Sequence, residues 1–319
     1  MDIQYLFFLQ EFRNSIQDAW TPFMEWISHF AVAYLIIIPT FIYWCLSKKK
    51  GLYILVTAAT TIAVNAVIKL TVCARRPWIR DARIIPAGDA MTEATGYSFP
   101  SGHTTTAVPI YGGVAVTYGK KYKVVAAICI ILALITGFSR NYLGVHTPQD
   151  VVVGFLLSMT MLYAINRLFA YLSEHPEKED FFLLAGLIFC IAALVYITFK
   201  PYPMYYNADG QLLVDPQKMM KDGYRDIGML GAACIGRYIE KRFIRFEEAG
   251  LNLQGVLVSL LGIVPLYLIN KKLGAPMESL LGPHFGPMAA MAVLVLFIVV
   301  GWPAVIKLFK GLTDKKKES

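Results

Sequence analysis

Three short polar blocks interrupt an otherwise apolar chain. They are Lys69 followed after six residues by Arg76-Pro77, then Pro100-Ser101-Gly102-His103, then Ser139-Arg140 followed after five residues by His146 and after three more by Asp150. Together they supply three cations, a hydroxyl, a glycine amide and two imidazoles, one of which has a carboxylate four residues away. That set suits phosphoryl transfer, in which cations neutralise the phosphoryl oxygens while side chains attack phosphorus and move protons. A membrane-embedded chain seldom keeps so many polar groups at one depth unless a site uses them.

Each block has a functional and a plainer reading. Lys69 lies about two turns before Arg76, so its ammonium reaches the same pocket from the helix end, while Pro77 stops the helix and projects the planar Arg76 fork toward two phosphate oxygens. Alternatively Lys69 snorkels and Arg76 pairs with headgroups. In the second block Ser101, Gly102 and His103 open a helix whose unpaired amides attract an anion. Gly102 permits close backbone approach, Ser101 adds a hydroxyl and His103 delivers a proton; or Ser101 only caps the helix and His103 only sits at the interface. In the third, Thr147 is a helix cap, Pro148 takes the first helical position and Asp150 the third. An aspartate that holds one imidazole nitrogen of His146 leaves the other lone pair for nucleophilic attack, and Arg140 completes the charge clamp. The plainer alternative makes Asp150 a capping residue alone, which leaves the other two blocks unexplained.

The elements that must carry these blocks are membrane spans. Hydrophobic residues make up 56% of the chain and charged residues 16%, and the mean hydropathy is +0.53, beyond the balance of a soluble domain. Apolar runs long enough to span recur about nine times, near 29–47, 51–73, 103–119, 122–138, 148–170, 181–199, 227–244, 253–270 and 287–309. Arg237, Glu240, Lys241 and Arg242 crowd the end of the seventh, the weakest. Residues 1–28 read as interfacial amphipathic helices, not as a signal peptide. The expected fold is therefore an all-α polytopic bundle, with a six-helix core over 29–175 against which 1–28 packs, and further spans over 176–319.

Charge placement orients the bundle. The net charge of +8 is gathered in clusters beside apolar runs, a pattern of membrane topology and lipid headgroups rather than nucleic acid. Lys48–Lys50, Lys120–Lys123, Arg237–Arg245 and Lys307–Lys317 share one side, expected to be cytoplasmic. All three polar blocks then face the extracytoplasmic or lumenal side. Arg75, Arg76, Arg80 and Arg83 stand there against the positive-inside bias, which calls for a job such as holding phosphate. The five cysteines lie in or beside apolar runs without metal-ligand spacing and read as packing residues.

In type and order the blocks resemble the signature of the type 2 phosphatidic acid phosphatase superfamily, which includes lipid phosphatases, glucose-6-phosphatases and vanadium haloperoxidases. The resemblance covers roughly residues 1–175. It implies that Lys69, Arg76, Ser101, Gly102 and Arg140 bind the phosphate, that His103 protonates the leaving oxygen, that His146 attacks phosphorus and that Asp150 orients His146. It implies no metal and no other cofactor. The residues independently suit that chemistry, because the sequence has no clustered carboxylates for Mg²⁺ and cations must supply the charge. The chain departs from the family in its extension of about three spans.

A phosphate site flanked by spans favours a phosphorylated lipid whose tail stays in the bilayer, with either a phosphomonoester or a diphosphate headgroup. The alternatives are a sugar phosphatase similar to glucose-6-phosphatases and a non-enzymatic transporter of anionic lipid or phosphate. Loop 200–226, with Tyr202, Tyr205, Tyr206, Lys218, Lys221, Tyr224 and Arg225, is expected to be an amphipathic connector with interfacial tyrosines, the alternative being a lid over a headgroup. Asn65, Asn166 and Asn270 are expected to bond between helices, and His175 and His284 to lie solvated in loops.

Overall fold

Every named element is a helix, as a chain crossing lipid requires, because backbone exposed to hydrocarbon must satisfy its own hydrogen bonds. The computed structural model describes residues 2–94, 96–207 and 209–318. In chain order the helices are α1 (Asp2–Ser15), α2 (Thr21–Ala33), α3 (Ile37–Phe41), α4 (Lys48–Val72), α5 (Pro77–Arg80), α6 (Ala90–Glu93), α7 (Gly102–Tyr118) and α8 (Lys123–Tyr142). They continue with α9 (Pro148–Glu174), α10 (Glu179–Phe199), α11 (Pro216–Ile239), α12 (Leu253–Leu261), α13 (Ile263–Lys272), α14 (Gly274–Leu296) and α15 (Trp302–Glu318).

Each of the nine apolar runs becomes helix, but they do not qualify equally as spans. Among the described residues, six helical stretches are long and apolar enough to cross a membrane, and a seventh is the pair Thr21–Ala33 and Ile37–Leu46, bent by 44°. The other two runs form α7, which is only 17 residues long, and α11, which carries Lys221, Asp222, Arg225 and Asp226. The first membrane segment also starts earlier than residue 29: α2 begins at Thr21 and runs unbroken through the expected interfacial boundary. The connector 200–226 is helical from Pro216, and His284 sits within α14 against the Tyr224 ring rather than in a loop.

The central strut is α4. It packs against α7 and α9 on the N-terminal side and against α11 of the extension, which in turn packs on α14 and α10. Close approach depends on small residues, as is usual where lipid supplies no hydrophobic drive between helices. A Cβ at Gly51 would lie 2.3 Å from the Tyr43 Cα, so only glycine lets the start of α4 meet the preceding π-turn. At the other end of the bundle, a Cβ at Gly154 would crowd Thr104 Cβ at 3.1 Å and the Ser101 carbonyl oxygen at 3.4 Å. That contact sets the first turn of α7 against α9, and so brings the second and third polar blocks together.

The helix ends sort by charge. At one end Lys48 meets Glu240, Arg237 meets Glu179 and Lys241 meets Asp180, while Lys50 lies over the Tyr118 ring. The lysine clusters near residues 48–50 and 120–123 and the basic end of α11 thus share one side of the bundle. Lys69 and His103 lie at the opposite ends of their helices, and His146 lies in the connection between α8 and α9 at that same end.

Candidate active site

The three blocks converge. The first is delivered by the end of α4, although not by the expected device. The helix stops at Val72, where Cys73 takes a left-handed conformation with φ 53°, and Pro77 instead opens the next helical turn with Arg76 as its cap. Arg76 is buried, and its Nε donates to the Gly96 carbonyl at 3.1 Å and one Nη to the Val145 carbonyl at 2.9 Å. The Lys69 Nζ donates to the Tyr97, Ser98 and Pro100 carbonyls at 3.2, 3.3 and 2.7 Å. Lys69 therefore ties down the loop that leads into the second block as well as lining the cavity beside it.

In the second block Ser101 caps α7, as the plainer reading holds. Its hydroxyl accepts from the Thr104 amide at 3.4 Å and the Thr104 hydroxyl at 3.0 Å, and the residue is fully buried. Gly102 and His103 line the cavity, and a Cβ at Gly102 would meet open space. The amide face of this helix start is thus accessible to an anion.

The third block is built around a tight reversal after α8. Gly144, with φ 72°, turns the chain so that the Val145 and His146 amides both donate to the Arg140 carbonyl at 3.2 Å. Asn141 Nδ2 donates to the His146 carbonyl at 3.0 Å. The reciprocal cap expected at the start of α9 is present: Asp150 donates its amide to Thr147 Oγ1 at 3.4 Å and accepts from the Thr147 amide at 2.9 Å. The same Asp150 oxygen lies 3.2 Å from His146 Nδ1 and accepts from Ser98 Oγ at 2.5 Å.

Tautomer and charge follow from these contacts. An Arg76 Nη is 2.8 Å from His146 Nε2, and a guanidinium only donates, so Nε2 must present its lone pair and Nδ1 must carry the proton toward Asp150. Burial, and next the Arg76 guanidinium, hold the His146 imidazole well below its ordinary range against the opposing pull of Asp150. The ring is neutral at physiological pH.

Arg140 behaves differently from the other two cations. It is fully buried, one Nη bonds to the Ser28 hydroxyl on α2, and it does not line the cavity. It stands behind Arg76 and close enough to add to the positive field there. Among the described basic residues on this side, only Arg76 meets His146; Arg75 lies over the Tyr205 ring, Arg80 pairs with Asp2 and Arg83 with Asp81.

The cavity is the feature that no spacing in the sequence announces. About 600 Å³ in volume, it has a polar mouth of Lys69, Arg76, Gly102, His103 and His146 and an apolar interior that reaches Ile263, Leu294, Ile298 and Val299 of the extension. Four participants, Ser98, Arg13, Asp222 and Asp226, were not singled out by type and spacing. Ser98 bonds to Asp150; Arg13 of α1 is buried and holds the Tyr142 and Ile85 carbonyls at 3.1 and 2.8 Å; and Asp222, Arg225 and Asp226 of α11 line the cavity. Ser98 gives no local signal, and Arg13 gave only the weak one of a lone basic residue in an amphipathic stretch.

An all-helical, multi-pass membrane protein that closes three polar blocks around a buried His–Asp pair is thus defined by its fold and geometry. The chain belongs to the PAP2 superfamily, whose model matches residues 50–174. Phosphatidylglycerophosphatase B of Bacillus subtilis is 29% identical over 146 residues, 44% of this chain and 68% of that protein. Undecaprenyl-diphosphatase BcrC of the same organism is 32% identical over 159 residues, 45% of this chain and 74% of that one. A probable sphingosine-1-phosphate phosphatase of Dictyostelium discoideum is 24% identical over 204 residues, 60% of this chain and 48% of that protein. No solved structure matches the chain.

Proposed function

We propose that the protein is a membrane lipid phosphatase that forms a phosphohistidine at His146 and needs no metal. The observation that carries this reading is the continuity of one cavity from the polar mouth at His146 and Arg76 to apolar walls more than a helix away. A phosphorylated lipid fits it end to end, with phosphate at the cations and hydrocarbon among Leu294, Ile298 and Val299. A sugar phosphate would leave the apolar part of the wall unmatched. The named activities of the three relatives, all on phosphorylated lipids, support the same class.

The contacts support a two-step chemistry. Arriving phosphate offers Arg76 anionic acceptors in place of the imidazole lone pair, so binding frees Nε2 of His146. Nε2 attacks phosphorus in line as the bond to the lipid oxygen breaks, and His103, in its protonated form, gives that oxygen its proton. Asp150 holds the Nδ1 proton and stabilises the ring as it takes up positive charge. Lys69, Arg76 and the Gly102 amide face the phosphoryl oxygens, with Arg140 adding field from behind and Ser101 fixing the helix start. Neutral His103 then takes a proton from water, whose oxygen attacks the phosphohistidine and releases phosphate, restoring both rings.

The gathering of the lysine clusters at the opposite end supports an extracytoplasmic site. A single cysteine at Asp209 should react with an impermeant thiol reagent on intact cells and one at Lys121 should not; the reverse pattern would invert the topology. Phosphate release from long-chain lipid phosphates by purified protein, undiminished in chelator and inhibited by vanadate, tests the function. Release from glucose 6-phosphate but from no lipid would overturn it.

A further inference from the structure

The extension does more than wall the cavity with hydrocarbon. Gly223 of α11 packs against Leu70 near the end of α4, while Glu240 at the far end of α11 meets Lys48 at the start of α4, so the two helices run in opposite directions. Moving about one turn inward from that contact brings Asp226 on α11 and Asn65 on α4 to a similar depth beneath the phosphate mouth. Both line the cavity, with Asp222 and Arg225 beside them. Asp222 and Asp226 are near enough to Lys69 to interact with it electrostatically.

The groups at this level are mismatched in one direction. Arg225 donates to Asp226 at 3.0 and 3.1 Å and lies 3.7 Å from Asp222, so one guanidinium serves two carboxylates, and once a bound phosphate takes up the charge of Lys69, the other cation near them, a negative charge is left over. Asn65 is only 4% exposed, and its Oδ1 has no hydrogen-bond partner among the described residues. A buried amide oxygen left unsatisfied is costly, and native structures rarely keep one without a use. The cavity wall just below the phosphate therefore offers acceptors in excess, where a plain hydrocarbon chain would bring only C–H groups.

We propose that Asn65, Asp222 and Asp226, held in place by Arg225, form a specificity subsite for a hydrogen-bond donor that the lipid carries a few bonds from its phosphate, a protonated amine or a hydroxyl. This rests on the lipid phosphatase reading and narrows its substrate class. Prenyl and simple alkyl phosphates place no donor there, and a diacylated glycerol phosphate places ester oxygens against acceptors. A long-chain phosphate with an ammonium group on the second carbon satisfies both the leftover charge and the Asn65 oxygen, and a hydroxyl at that carbon satisfies the oxygen alone.

The test compares three chain-matched alkyl phosphates that carry an amine, a hydroxyl or only hydrogen on the second carbon, with kcat/KM read as phosphate released by the full-length protein. The amine is expected to be preferred over the unsubstituted lipid by about tenfold or more, the scale of one charge-assisted hydrogen bond, with the hydroxyl between them. Asp226→Asn should collapse the amine preference, and Asn65→Leu should reduce that for both donors. A folding defect lowers all three rates and leaves their ratio standing, so the ratio reads recognition. Equal rates for the three lipids with the unaltered protein, or a ratio that neither substitution moves, would overturn the subsite. Phosphate release from none of them would overturn the phosphatase reading itself.

Discussion

The lysine-rich end of the bundle and the candidate active site use their cations in opposite ways. At the lysine-rich end the charges are answered by carboxylates: fully buried Glu240 lies between Lys48 and Arg237 at 2.5 and 2.6 Å, and Asp180 meets Lys241 and Arg242. At the other end Lys69 and Arg76 bond to main-chain carbonyls and to an imidazole. Carbonyls orient a cation without cancelling it. The first arrangement ties α4, α10 and α11 together; the second keeps positive charge in reserve for an anion that arrives from outside.

Substitutions should separate these uses. The largest effects belong to the catalytic end: Asp150→Asn removes the negative charge that holds the His146 Nδ1 proton and stabilises the ring as it turns positive, and by analogy with a serine-protease triad the rate should fall by about 10⁴ with folding kept, since the asparagine oxygen still caps α9. Arg76→Gln should cost rate in the same way, with little change in melting temperature. A large loss of stability with activity per folded molecule preserved would erase the contrast between the ends.

At the lysine-rich end the expectation reverses. Glu240→Gln leaves Lys48 and Arg237 without their shared partner, and breaking such a buried arrangement costs about 3–5 kcal/mol. The measurement is thermal unfolding in detergent beside specific activity: the melting temperature should drop while turnover by the folded fraction stays near that of the parent.

The smallest effect sharpens the electrostatics of His146. Its protonation is disfavoured by burial and by Arg76, so the neutral ring is the folded form. The unfolded chain takes up that proton near the ordinary value of about 6.5, so this contribution to stability is complete above that pH and is lost as the pH falls below it. The acid limb of kcat/KM should lie below the ordinary imidazole range. Because Asp150 pulls the value upward, the limb of residual aryl phosphate turnover in Asp150→Asn should move to still lower pH; movement upward would contradict the assignment.

The site was legible in the sequence where chemistry is local. The cap formed by Thr147, Pro148 and Asp150 follows from adjacent residues, and it carries His146 with it. Arg140 and Ser101 show where type and spacing fall short: both belong to matching blocks, yet tertiary packing turns Arg140 toward Ser28 and spends the Ser101 hydroxyl on a helix cap. Ser98, Asp222 and Asp226 were invisible, because they meet the site only through contacts between distant parts of the chain. The fold class was legible from hydrophobic run length, whereas the early start of α2 was not: Glu25, Ser28 and His29 interrupt its apolar character, and only packing shows Ser28 to be buried.

Rapid-quench labelling with a radiolabelled aryl phosphate tests the assignment of the two histidines most directly, since that leaving group needs little proton donation. The unaltered protein should show a transient, acid-labile and base-stable phosphoprotein. His103→Ala should form the same species and hold it, for want of a base to activate water, and His146→Ala should form none. Phosphoprotein in His146→Ala, or its absence from His103→Ala while His146→Ala accumulates it, would contradict nucleophilic attack by His146.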